Sequence, residues 1–83
     1  MLFPDLQRIE HIRDYCIDIE KAVQNHHASF EEFEADIEFQ YSMSFCILQI
    51  GELAKGLSDE FVDSTSYQIP WRKIRGMRNL VAH

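Results

Sequence analysis

The sequence predicts an all-α fold, an up-and-down bundle of about four helices built from a single domain spanning residues 1–83. Three observations carry that prediction. Apolar residues return every three or four positions along most of the chain, the spacing that gathers one face of an α-helix. Strand-like alternation is absent, and the chain holds only three glycines. Ser, Asp and Pro stand where helix starts would need them. A chain of 83 residues buries only about 60–65% of its unfolded surface, yet 46% of these residues are hydrophobic. Self-association is the natural outlet for the surplus, so a two-fold dimer is expected.

The first helix opens at Pro4 and Asp5, the proline suiting a first turn and the acid facing the positive end of the dipole. Ile9, Ile12, Cys16, Ile19 and Val23 then step by three and four. The stripe ends at Asn25-His26-His27. Adjacent histidines point to different helix faces and no third ligand lies nearby, so no metal site is expected there. "SFEEF" starts again, with Ser29 and Glu32 spaced as a capping box and Glu31, Glu34 and Asp36 adding acids. That acidic run is either a solvated face or a dock for a basic partner. A short helix over 29–35 gives way, with or without a kink, to a long one carrying Met43, Cys46, Ile47, Ile50, Leu53, Ala54, Leu57 and Phe61 on its apolar stripe.

Gly51 lies inside this long helix, where it costs ~1 kcal/mol against Ala. Close approach of another helix would be reason enough for it. Its neighbour Glu52 reads as an ordinary exposed acid. "VDSTSYQIP" reads as a loop closed by Pro70, which starts a last helix with Trp71, Ile74, Met77 and Val81 facing the core. Cys16 and Cys46 both fall on apolar stripes and read as buried free thiols rather than a disulfide. No run of ~20 apolar residues is present to span a membrane. The N-terminus reaches charged residues too soon for a signal peptide, so a cytoplasmic location is expected.

The net charge is −6, but it is unevenly placed. Residues 1–69 carry all fourteen acids and four bases, whereas Arg72, Lys73, Arg75 and Arg78 occupy residues 70–83 with no acid. Such polarity suggests an anion-facing patch on an acidic body, or a basic helix that pairs with acidic neighbours. Within "WRKIRGMRNLVAH", Arg78 offers a planar fork for phosphate oxygens. Asn79 can donate and accept hydrogen bonds, and His83 can move a proton near neutral pH. RNA cleavage without a metal needs little more: a base for the 2′-hydroxyl and a cation for the charge that develops on the phosphate. On a regular helix Asn79 and His83 lie ~40° apart, but Arg78 and His83 lie ~140° apart. Three arrangements would join them: a distortion near Ala82, a bent Arg side chain, or contributions from two protomers across a two-fold axis.

"QIGELAKGLSDEF" followed by "IPWRKIRGMRNLVAH", with an Arg-x4-His pattern on Arg78 and His83 and the polar Asn79 directly after the Arg, resembles the HEPN superfamily. Within it, the sequence is similar to the HepT-like toxins of HepT–MntA toxin–antitoxin pairs, from about Ile9 to His83. The resemblance implies a helical bundle that dimerises and places two Arg/His sets in a shared cleft. It implies a metal-independent endoribonuclease with no cofactor. His83 would be the general base or acid, Arg78 the phosphate clamp, and Asn79 an orienting residue, with Arg72, Lys73 and Arg75 steering RNA. It implies a partner too, an MntA-type minimal nucleotidyltransferase that neutralises the toxin by attaching AMP to a Tyr two residues beyond the His. Against this pattern the chain is expected to be C-terminally truncated, because neither that Tyr nor the final helical segment has a counterpart after His83. An α-carboxylate beside the His83 imidazole would favour the imidazolium and repel phosphate.

The alternative function is a non-catalytic nucleotide-binding or interaction domain that partners the nucleotidyltransferase and uses the same Arg-rich helix without turnover. A third reading is a dimeric interaction protein whose acidic first two helices engage a basic partner.

Overall fold

The computed structural model describes residues 3–25 and 29–82. The His26–His27 pair, the Val81 side chain and His83 lie outside the described residues. All-α architecture is observed: α1 (Phe3–Asn25), α2 (Phe30–Ala35), α3 (Ile37–Lys55), α4 (Asp59–Thr65) and α5 (Trp71–Ala82). Helix α3 is central, with α1 and α5 both packed against it, and each runs antiparallel to it. None of the described helices is long and apolar enough to cross a membrane.

Local chemistry sets the helix boundaries. Ser29 caps α2, its Oγ accepting from Glu32 N–H at 3.1 Å as the capping-box spacing predicts. Asp36 then ends α2 and caps α3, accepting from Phe39 N–H at 3.0 Å. Gln40 Nε2 donates back to the Phe33 and Glu34 carbonyls at 2.8 and 2.9 Å, which satisfies the exposed end of α2 and fixes the kink.

Two expectations are corrected. The long helix stops at Lys55, well before Phe61, and residues 59–65 form a short helix of their own where a loop was expected from Val62 onward. A tight turn at Gly56 and Leu57 closes α3, and Ser58 starts α4 by accepting from Phe61 N–H at 3.2 Å, with Asp59 and Glu60 in the first turn. The second correction concerns Cys16, which is exposed while Cys46 is buried. Among the described residues α1 packs chiefly on α3, and one helix does not shield every flank of it, so Ile17 and Val23 are exposed as well. Burial pushes the Cys46 thiol up, and the nearby Asp18 carboxylate and Cys16 add to the effect, so Cys46 stays a protonated core group at neutral pH.

The core centres on Ala54, Leu57 and Trp71, with Ile9, Ile12, Phe61, Val62, Ile69 and Ile74 packed around them. Met43, Cys46 and Ile50 extend it along α3. Among the described residues one carboxylate is buried. Asp5 accepts from Ser58 N–H at 2.8 Å and Ser58 Oγ at 2.6 Å, tying the start of α1 to the α3–α4 junction across 53 residues of sequence. Asp5→Ala strips both acceptors from a buried site and is expected to cost about 2–3 kcal/mol, read as a lower urea midpoint with an unchanged slope. An unchanged midpoint would mean that the clamp contributes nothing.

Candidate active site

The geometry of the site begins with the seating of Trp71. Its indole fills the core, 6.1 Å from the Phe61 ring centre, and Nε1 donates to Thr65 Oγ1 at 2.8 Å. This fixes the rotation of α5. Trp71, Ile74 and Arg78 fall on one stripe of that helix, so once Trp71 and Ile74 face inward, the base of Arg78 must also meet α3. The meeting point is Gly51. A Cβ at this position would lie 3.2 Å from Arg78 Cβ and 3.4 Å from Arg78 N, so the glycine is what lets α5 cross this closely. The helix approach expected from the sequence is therefore present.

At the crossing, Arg78 Nε is buried and forms an ion pair with Glu52 Oε1, a charge contact more than a well-directed hydrogen bond. The two side chains are 43% and 44% exposed. Glu52 occupies the Nε side of the fork, which leaves the terminal N–H groups to meet a ligand. The exposed acid expected here is observed, and it also holds the motif arginine.

Arg75 is placed differently. Its Nε donates to the Ala54 carbonyl at 3.1 Å and its guanidinium reaches the Leu57 carbonyl at 3.5 Å, capping the end of α3. Lys55, Arg75, Gly76, Arg78 and Asn79 together line an open groove of about 360 Å³. Three of these residues are cations and none is a carboxylate. Arg72 and Lys73 are exposed in the first turn of α5 and stand outside the groove. Helix α5 stays α-helical through Ala82, and His83 lies outside the described residues.

Of the residues expected at the site, the fold thus gathers Arg78, Asn79 and Arg75 and leaves Arg72 and Lys73 aside. It adds Glu52, Lys55 and Gly76. The signal for the first two was the "GELAK" stretch: residues adjacent to and one turn beyond a glycine that admits another helix must border whatever that helix carries.

Gly76 differs from Gly51, because a Cβ there would meet nothing within 4 Å. Gly76→Ala is therefore expected to stabilise the fold by about 0.5–1 kcal/mol, visible as a raised melting temperature. A lower melting temperature would reveal a contact at this position.

A family model described as Ribonuclease HepT-like matches residues 6–83. A curated protein from Caldanaerobacter subterraneus subsp. tengcongensis, named "Putative RNase TTE0752", is 33% identical over 75 residues, which make up 90% of this chain and 64% of that protein. The chain thus spans less than two thirds of the length of this relative. No solved structure gives a significant match.

Proposed function

The chain belongs to the HepT-like ribonuclease family, and from that premise we propose that it is a toxin component that cuts RNA without a metal through Arg78, Asn79 and His83. One observation carries the reading: Arg78 is held by Glu52 beside a groove that Lys55 and Arg75 make positive. RNA brings its own nucleophile. The 2′-oxygen loses its proton and bonds to the adjacent phosphorus, the bond from phosphorus to the 5′-oxygen breaks, and that oxygen takes a proton. His83 is assigned to the proton transfers from the spacing of the motif. Arg78 stabilises the charge that develops on the non-bridging oxygens, and Asn79 orients the phosphate from the next position on α5.

The proposal extends to a cytoplasmic two-fold dimer. Ile37, Tyr41 and Phe45 form an exposed apolar stripe at four-residue spacing on α3, a surface that a second copy would cover. An MntA-type minimal nucleotidyltransferase is the proposed antitoxin, on the strength of the family alone.

The test is incubation of the purified chain with labelled single-stranded RNA in EDTA. Fragments ending in 2′,3′-cyclic phosphate and 5′-hydroxyl, absent with His83→Gln, are the expected result. Intact RNA together with nucleotide binding would overturn the ribonuclease reading in favour of the non-catalytic nucleotide-binding domain. The Glu52–Arg78 pair supports that second reading too, because a guanidinium already neutralised needs no turnover to explain it.

A further inference from the structure

We propose that Lys55 and Gly76 form a seat for a second backbone phosphate of the RNA, beside the phosphate that Arg78 clamps; this rests on the ribonuclease reading of the same groove. The cations lining the groove are not equivalent. Arg78 is tied to Glu52, and Arg75 is tied to the Ala54 and Leu57 carbonyls. Lys55 makes no ion pair among the described residues, and it enters the groove from α3 while Arg78 enters from α5. An anion lying in the groove would thus meet positive charge from both walls. A lysine in the last turn of a helix also favours the negative end of the dipole, but Arg75 already serves the carbonyls of this terminus.

Gly76 supplies the room. It sits in the interior of α5 with open space where a side chain would be, so no neighbouring helix among the described residues demands a glycine there. The demand fits something outside the chain that runs flush against the α5 backbone. Arg72 precedes Gly76 by four residues and Asn79 follows it by three, so all three share one face of α5. A strand lying on that face would pass Arg72 and, at Gly76 and Asn79, enter the groove that Lys55 and Arg78 also line. Phosphates recur at every nucleotide, so these contacts set register and affinity without reading bases.

The experiment measures binding and cleavage separately. A fluorescent 2′-O-methyl oligonucleotide, which lacks the nucleophile, is titrated into wild type, Lys55→Met, Gly76→Ala and Gly76→Leu across a salt series. Lys55→Met is expected to weaken binding about three- to five-fold at low salt. It should also lower the salt slope by roughly 0.7, the loss of one single-strand phosphate contact. Its kcat on saturating RNA should stay within about two-fold of wild type, with the defect in KM. Gly76→Ala should melt higher than wild type yet bind RNA less tightly, and Gly76→Leu should bind roughly ten-fold less tightly again, a combination that a purely structural glycine would not produce. Unchanged affinity and slope in Lys55→Met, or wild-type binding by Gly76→Leu, would overturn the seat. So would altered sedimentation of RNA-free Gly76→Leu, which would assign the glycine to a contact between copies. A chain that binds through Lys55 and Gly76 but leaves RNA intact would remove the ribonuclease reading and keep the seat. Arg78-dependent cleavage indifferent to both residues would do the reverse.

Discussion

Arg78→Ala is expected to lower RNA cleavage by roughly 10²–10³-fold, the loss typical when one preorganised donor to a developing oxyanion is removed. The fold should hardly notice. The Glu52–Arg78 pair is nearly half exposed, and ion pairs of that kind contribute about 0–1 kcal/mol. Two effects combine in the activity. The guanidinium no longer meets the phosphate, and the Glu52 carboxylate is left unneutralised at the edge of the groove, where it repels the substrate. Arg78→Lys should rescue little, because an ammonium is a point charge and lacks the fork that lets Arg78 satisfy Glu52 and a phosphate together. Glu52→Gln should fall between wild type and Arg78→Ala, since an amide oxygen can still accept from the arginine. The two positions act as a unit, so Glu52→Ala combined with Arg78→Ala should be no worse than Arg78→Ala alone. Wild-type kcat in Arg78→Ala, with an unchanged melting curve, would remove Arg78 from the chemistry altogether.

The parts of this architecture legible in the sequence are those set by neighbouring residues. Ser29 and Asp36 announce helix starts through short-range hydrogen bonds, and Trp71 and Ile74 mark the inward face of α5 by spacing alone. Spacing misleads at residues 55–61 for a definite reason. Leu57 and Phe61 remain in phase with α3, and both do pack in the core, yet the chain reaches them through a turn and a new helix. Periodicity reports burial and says nothing of the route. Cys16 shows the converse, a position in phase that is nonetheless exposed.

For the candidate site, Arg78 and Asn79 both line the groove because they are adjacent on α5. The Glu52–Arg78 contact joins residues far apart in sequence and exists because Gly51 lets two helices touch. The glycine announced a crossing without naming its partner. The formal +4 of the last segment also misjudged the groove. Arg75 is engaged with backbone carbonyls and Arg78 with a carboxylate, while Lys55, counted with the acidic body, lines the wall.

Trp71→Ala is expected to cost about 3–5 kcal/mol, a large share of the roughly 5–15 kcal/mol that holds a small domain together. Trp71 is 4% exposed and packs with Ala54 and Leu57, so truncation leaves a cavity at the centre of the core cluster. It also removes the bond from Nε1 to Thr65, which links α5 to the end of α4. Cleavage should disappear with the fold, which by itself would say nothing about the site. Trp71→Phe separates the two. It keeps a ring against Leu57 and loses the N–H donor and some volume, at an expected cost of about 1–2 kcal/mol. The chain should then remain folded at room temperature with Ile74 and Gly51 still holding Arg78 against α3. Cleavage by Trp71→Phe should therefore stay near wild type below its melting transition and fall only along that transition. A folded Trp71→Phe that had already lost cleavage would mean that the rotation of α5 is set by the indole itself, and that Gly51 admits the helix without fixing where Arg78 points.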